Sequence, residues 1–382
     1  MSINEASRGS WVLVADENIP FVNELFGTFG EVRLRKGRDI SAADVKEADI
    51  LLVRSVTQVN ASLLEGSRVK FVGTCTIGVD HLDTQWLESR GIAWSSAPGC
   101  NAGGVVQYVL SAMAILNLLQ SSPKVAVVGC GNVGGRLYRT LVAMGFECIG
   151  VDPYQSPENI PGLSSFDSIY DCDLICVHTP LTTDGPHPTR HMFNCKVFSA
   201  LKPGAVLLNA GRGPVINNDE LCLFLEGGGD LNVVLDVWET EPAIHTNLFK
   251  WVKLASPHIA GYSFEGRTNG SLMIYEALAA FAQTQKYLFQ DVYSEVKANA
   301  FGSNTYLEAS SISEAILASY DLRVDNRMLE SELQALPESF DMLRKTYRKR
   351  REPSHYNLHL TNREQLNLAE AIGFNISARD EQ

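Results

Sequence analysis

The chain has 382 residues, of which 45% are hydrophobic and 20% charged, with a formal net charge of -12. That length exceeds one ordinary hydrophobic core and predicts two or three domains of globular composition. The negative balance argues against a general nucleic-acid surface, which needs clustered cations, and no apolar run is long enough to span a membrane.

Residues 1–10 are polar and lack the apolar centre of a signal peptide, so they are expected to form a loose extension before the first strand. The eight cysteines lie between Cys75 and Cys222. Most sit in apolar runs and none forms a C-x-x-C pair, so they read as buried reduced thiols of a cytoplasmic protein. Cys172 and Cys176 have no matching histidine pair, and no metal is expected.

In chain order, residues 11–15 read as a buried strand and 21–29 have helical spacing. Further buried strands are expected over 50–53, ending at Arg54-Ser55, and over 69–73, leading into Thr74-Cys75-Thr76-Ile77-Gly78. Residues 92–95 close this first unit before Pro98-Gly99 breaks the chain. A long apolar helix over 101–119 leads to a second unit, with strands near Val125, Cys148, Leu174, Ala205, Val233 and Leu254. Near Ser256-Pro257-His258 the chain is expected to return to the first unit through a helix over 268–289. Strands alternating with helices predict parallel sheets covered on both faces. Beyond about Val292 the alternation weakens. A helix over 310–319, a basic stretch over 340–351 and a strand over 356–360 suggest a third, small α+β domain.

The most specific local pattern is the glycine cluster Gly129, Gly131 and Gly134 behind the apolar run 125–128. A helical stretch follows, and Asp152 ends the next apolar run. Gly129 suits a tight turn, Gly131 a close approach to a pyrophosphate, and Gly134 close packing of helix on strand. Asn132 and Val133 begin the helix, whose free N–H groups and dipole favour phosphate. Asp152 can accept from ribose hydroxyls and would repel a 2′-phosphate, which points to NAD rather than NADP. The fold class is therefore α/β: two Rossmann-like doubly wound parallel-sheet domains with a cleft between them, plus the small C-terminal α+β domain. The expected boundaries are 1–98 with 258–290, then 99–257, then 291–382.

Three more segments follow predicted strands: Asn209-Ala210-Gly211-Arg212-Gly213, Asp236-Val237-Trp238-Glu239-Thr240-Glu241-Pro242, and Pro257-His258-Ile259-Ala260-Gly261. Ligands of open parallel sheets bind at that carboxyl edge. Oxidising a 2-hydroxy acid needs a base, a hydride acceptor and a cation for the carboxylate. His258 suits the base, Glu241 can orient and stabilise its imidazolium, and Arg212 can grip a carboxylate with two prongs.

With the glycine loop, these segments resemble the D-isomer-specific 2-hydroxyacid dehydrogenase family over roughly 73–266. The resemblance implies Arg212, Glu241 and His258 as the catalytic three, Thr179 beside the nicotinamide ribose and Asp236 at the carboxamide. Ala210, Gly211 and Gly261 are expected to give close backbone approaches to the cofactor. A closer likeness covers nearly the whole chain. Asp16-Glu17-Asn18, Val53-Arg54-Ser55-Val56-Thr57, Ala97-Pro98-Gly99-Cys100-Asn101, the segment 258–262 and the distal 343–352 resemble a branch of the family that acts on a small phosphorylated 2-hydroxy acid. That branch serves pyridoxal 5′-phosphate biosynthesis and forms a homodimer through its C-terminal domain. It implies Ser55, Thr76 and Tyr262 as substrate contacts. Arg54 and the run Arg344, Lys345, Arg348, Lys349, Arg350, Arg351 are candidate cations for the phosphate, although a charge run also reads as a solvated face. Another member of the family, such as a phosphoglycerate dehydrogenase, and an NAD-sensing corepressor remain as alternatives. The stretch Leu119-Gln120-Ser121-Ser122-Pro123 is shorter than the connection common in the family.

Overall fold

The computed structural model describes residues 11–376, so the polar segment 1–10 lies outside the described residues. The chain packs as two compact units, Met1–Asn101 with Phe264–Ser303, and Ala102–Ser263 with Asn304–Gln382.

The first unit contains β1 (Trp11–Asp16), β2 (Gly30–Arg35), β3 (Ile50–Val53), β4 (Phe71–Thr74) and β5 (Ala93–Ser95). They form one sheet in the order β2-β1-β3-β4-β5, with every pairing parallel. β3 and β4 are buried along their whole length, as continuous apolar runs require when both faces of a sheet are covered. Leu272, Ile274 and Leu278 of the helix Phe264–Thr284 pack on one face with Leu13, Leu52 and Phe71. Val45, Leu63, Leu64 and Leu87 cover Val14, Leu51 and Val72 on the other. β2 was not predicted. Its sequence GEVRLR is a half-exposed edge and carries too many charges to stand out as an apolar run.

The second unit contains β6 (Val125–Val128), β7 (Cys148–Val151), β8 (Leu174–Val177), β9 (Val206–Asn209), β10 (Asn232–Leu235) and β11 (Leu254–Ala255). Their order is β11-β10-β9-β8-β6-β7, again all parallel. The chain leaves β6 for β7 on one side and β8 lies on the other. That reversal is the switch point at which such sheets open a ligand crevice beyond their carboxyl ends.

The helix expected over 101–119 is two helices, Ala102–Ile115 and Leu118–Ser121. Asn117 (φ 58°) and Ser122 (φ 48°) adopt left-handed backbone and break the hydrogen-bond ladder. All residues from Ala102 to Ala114 are buried. A helix apolar all round needs cover all round, and the C-terminal segment helps supply it.

That segment contributes β12 (Thr305–Ala309), β13 (Tyr356–Leu360) and β14 (Asn375–Ile376), a three-stranded parallel sheet. Its Ala309, Ile312, Ile316 and Leu358 share one core with Val105, Val109 and Leu137. Gln107 Nε2 donates to the Arg351 carbonyl at 2.9 Å, and Asn326 Oδ1 accepts from the Ala255 amide at 2.7 Å, satisfying the outer edge of β11.

The basic run is only partly a solvated face. Arg350 is 3% exposed, lies 4.3 Å from the Tyr320 ring centroid and donates to the carbonyls of Gly104 and Ala260. Arg348 pairs with the buried Asp325, which also accepts from the Tyr320 and Tyr347 hydroxyls at 2.7 and 2.8 Å. The cysteines are free thiols, all buried except Cys195. Among the described residues no helix is long and apolar enough to cross a membrane, and no group of three or more His, Cys, Asp or Glu could hold a metal ion.

Candidate active site

The glycine loop begins where β6 ends. Gly129 has φ 86°, a conformation that glycine adopts without steric cost. The helix Asn132–Ala143 follows with Gly131 at its N-cap. A Cβ on Gly134 would lie 1.9 Å from the Gly129 carbonyl oxygen, so helix and turn can touch only through glycine, whereas a Cβ on Gly131 would meet open space. Asn132 is exposed and Val133 half-buried at the helix start. Asp152, just past β7, accepts from the Cys130 amide at 2.8 Å and the Tyr154 amide at 2.9 Å. The acid is thus tied to the loop beside it.

The ends of β8 and β9 press on this turn. A Cβ on Gly129 would come 2.8 Å from the Thr179 nitrogen, and one on Gly211 would come 3.0 Å from the Thr179 carbonyl. Thr179 is buried, and its hydroxyl has no partner. The two ring nitrogens of neighbouring His178 are likewise buried without partners, and burial pushes that imidazole down to about 4, so it stays neutral. The open face of Gly131, the exposed first turn of the helix and the waiting Thr179 hydroxyl fit a dinucleotide across the carboxyl edge of the sheet.

Arg212 follows β9 with extended backbone (φ −134°). The buried Asn209 clamps its loop: Oδ1 accepts from the Gly211 amide and Nδ2 donates to the Arg212 carbonyl, both at 3.0 Å. Gly213 abuts the next strand end, because a Cβ there would stand 1.9 Å from the Trp238 carbonyl oxygen. Ala210 is half-buried against the core. Arg212 is half-exposed, and its Nη1 touches the Gly211 carbonyl at 3.0 Å.

The Trp238 amide donates to Glu241 Oε1 at 2.8 Å, and Glu241 Oε2 meets His258 Nδ1 at 2.7 Å. Burial alone would raise the Glu241 carboxyl. The His258 charge and hydrogen bond, the Trp238 amide and Arg344 more than offset this and hold it below the usual carboxylate range. With Nδ1 committed to Glu241, the second ring nitrogen of His258, Nε2, is the one left for another contact.

His258 has φ 57°, in the left-handed region. Its amide donates to the Asp236 carbonyl at 2.7 Å, and the next two amides, Ile259 and Ala260, donate to the Asp236 carboxylate at 2.7 and 3.0 Å. Ser256 Oγ also donates to that carboxylate at 2.6 Å, and the Tyr108 hydroxyl lies 2.9 Å from Ser256 Oγ. Burial pushes the Asp236 carboxyl up, against the His258 charge, the Ser256 hydroxyl and the two amides. Asp236, expected at the carboxamide, thus spends both oxygens on holding the histidine loop. Gly261 is half-buried in the turn that follows, and Tyr262 packs edge-on against Tyr347.

In the first unit Ser55 is exposed just beyond β3. Thr76 follows β4, with its hydroxyl 2.8 Å from that of Thr74, which in turn lies 2.9 Å from His81 Nε2. Arg54 is paired with the fully buried Asp16 at 2.9 Å. The sequence motifs include Asn209, Trp238 and Ser256 without roles for them, and Tyr108 was passed over.

The carboxyl ends of β6, β8, β9, β10 and β11 thus gather a dinucleotide cradle, an arginine and an oriented carboxylate–imidazole pair. Residues 112–260 match the family described as D-isomer specific 2-hydroxyacid dehydrogenase, NAD binding domain, and 294–373 match a domain of unknown function, DUF3410. The chain belongs to the D-isomer specific 2-hydroxyacid dehydrogenase family, and is an NAD-dependent dehydrogenase acting on the CH–OH group of a 2-hydroxy acid. Within the family it is similar to the erythronate-4-phosphate dehydrogenase of Saccharophagus degradans, with 58% identity over 96% of this chain and 100% of that one. The protein of the same name from Teredinibacter turnerae is 54% identical over 91% and 94% of the two chains. The fold is shared with D-lactate dehydrogenase from Aquifex aeolicus complexed with NAD and lactic acid (TM-score 0.60, 21% identity, 72% and 96% coverage). It is shared as well with NAD-bound 3-phosphoglycerate dehydrogenase of Entamoeba histolytica (TM-score 0.60, 21% identity, 74% and 99% coverage).

Proposed function

We propose that this enzyme oxidises 4-phospho-D-erythronate at its C2 hydroxyl to 2-oxo-3-hydroxy-4-phosphobutanoate, in the cytoplasm and as a step toward pyridoxal 5′-phosphate. The observation that carries the chemistry is the 2.7 Å contact between Glu241 and His258 at the same sheet edge as Arg212. The choice of acid is supported by the relatives of 58% and 54% identity that bear the corresponding name.

In this reading Gly129, Gly131, Asn132, Val133 and Gly134 hold the pyrophosphate, while Asp152 holds ribose hydroxyls. Thr179, Ala210, Gly211, Asp236 and Gly261 line the nicotinamide side. When bound, NAD supplies the hydride acceptor. Arg212 grips the substrate carboxylate and polarises the forming C2 carbonyl. His258 Nε2 takes the C2 hydroxyl proton, and Glu241 stabilises the resulting imidazolium. Ser55, Thr76 and Tyr262 complete the substrate contacts.

Purified protein supplied with NAD should form NADH from 4-phosphoerythronate with a kcat/KM at least about 100-fold above that for 3-phosphoglycerate. Replacing NAD by NADP should abolish most turnover, because the Asp152 carboxylate opposes a 2′-phosphate. Preference for 3-phosphoglycerate, or no NADH at all, would overturn the reading. We further propose a homodimer formed through the C-terminal segment, which exposes Tyr306, Val324 and Met342. Light scattering should show two chains per particle, and a monomer at working concentration would contradict it.

A further inference from the structure

The proposed substrate carries two anionic ends, and Arg212 serves only the carboxylate. The sequence offers Arg54 and the run 344–351 for the phosphate, and the structure separates these candidates. Arg54 is balanced by Asp16 and Arg348 by Asp325, while Arg350 is sealed against Tyr320 with its Nη2 on two backbone carbonyls and its Nε and Nη1 buried without partners, 3% exposed and closed to any ligand. Lys345 and Lys349 are exposed on the outer side of the segment.

Arg344 is the cation of the run that lies against the histidine loop through Tyr262. It lies on the helix Glu338–Lys345, its side chain is 12% exposed, and its guanidinium carbon sits 5.3 Å from the Tyr262 ring centroid. Tyr262 belongs to the histidine's own loop, its amide closing a turn on the Ile259 carbonyl at 2.8 Å. Arg344 Nε is buried and has no hydrogen-bond partner, and the contact to Asp341 is a loose 3.5 Å to a half-exposed acid. A buried guanidinium donor without an acceptor is unfavourable unless something supplies one. A phosphate dianion is the acceptor that matches its fork.

We propose that Arg344 holds the phosphate of the substrate beside Tyr262 and so sets the preference for a phosphorylated acid. The inference rests on the substrate reading above and extends it by naming the residue that selects the phosphorylated end. It also gives the C-terminal segment a part in substrate choice.

Steady-state kinetics on 4-phosphoerythronate and on unphosphorylated erythronate test it. Arg344→Met should lower kcat/KM for the phosphorylated acid about 100-fold, mainly through KM, and lower that for erythronate at least about tenfold less, since erythronate loses only the support Arg344 gives the Glu241 charge. Arg344→Lys should recover part of the loss, because it keeps the charge without the fork. An equal loss on both acids would mark a structural role and overturn the proposal, as would no loss on either. If Arg344→Met fails to bind NAD and so proves misfolded, a crystal structure of the unsubstituted enzyme with NAD and 4-phosphoerythronate decides. Phosphate oxygens within hydrogen-bond distance of Arg344 uphold the proposal, and phosphate held by other cations overturns it. If the unsubstituted enzyme does not turn over 4-phosphoerythronate, the substrate reading itself fails.

Discussion

His258→Asn should lower kcat about 1000-fold, the range expected when a positioned general base is lost, while NAD affinity stays within about twofold of its starting value. Asparagine is the informative replacement. Position 258 has φ 57°, and asparagine tolerates left-handed backbone far better than most residues. The loop is held by backbone amides on Asp236 and by Arg350 on the Ala260 carbonyl, not by the imidazole. A loss of activity would therefore report the missing base and not a collapsed loop. The Glu241 carboxyl is held below its ordinary value. It remains charged at neutral pH, and its stabilising charge is lost only as pH falls through that lowered folded-state value. Near-normal turnover by this variant would remove His258 from the mechanism.

Arg212→Lys should cost about 1000-fold in kcat/KM on the 2-hydroxy acid, because two charge-assisted hydrogen bonds to a carboxylate are replaced by a point charge on a different stem. The change keeps the positive charge, so a large effect isolates geometry from electrostatics. That geometry is built with care for position: extended backbone at Arg212, Asn209 bonded on either side of it, and Gly213 seated against the Trp238 carbonyl. The same Trp238 donates its amide to Glu241, so the arginine loop and the acid–histidine pair share one backbone support. NAD binding measured by fluorescence should be unaffected. A KM and kcat both within a factor of about three of the parent enzyme would show that another group holds the carboxylate.

Much of the architecture was legible because the strands of the two large sheets are short, apolar and buried. Runs such as Val125–Val128 and Leu174–Val177 announce a covered parallel sheet, and Gly129, Gly134 and Asp152 mark the turn, the close packing and the tethered acid around the first of them. The C-terminal sheet was only partly visible. β13 was expected, whereas β12 carries exposed Thr305, Tyr306 and Glu308, and β14 has two residues. Short or half-exposed strands draw their stability from neighbours, and a pattern read along the chain does not register those neighbours. The helix over 101–119 was read as continuous for a related reason. Its composition favours helix throughout, and only the backbone at Asn117 reveals the break.

The functional side chains divide in the same way. The sequence by itself pointed to the class of chemistry: a glycine loop, an arginine, a glutamate and a histidine placed after successive apolar strands suit hydride transfer on a 2-hydroxy acid, with an NAD-sensing corepressor as the alternative those residues left open. Only the tertiary structure decided how those groups are held. It spent Asp236 on three hydrogen bonds that pin the histidine loop, enlisted Tyr108 and Ser256 behind it, sealed Arg350 in the interior and left Arg344 with an unmatched donor. The reason is physical. Strand and turn propensities act over a few residues and can be read from the string. Burial and hydrogen-bond satisfaction depend on which distant segments meet, and six cations in one run are told apart only by what each of them is packed against.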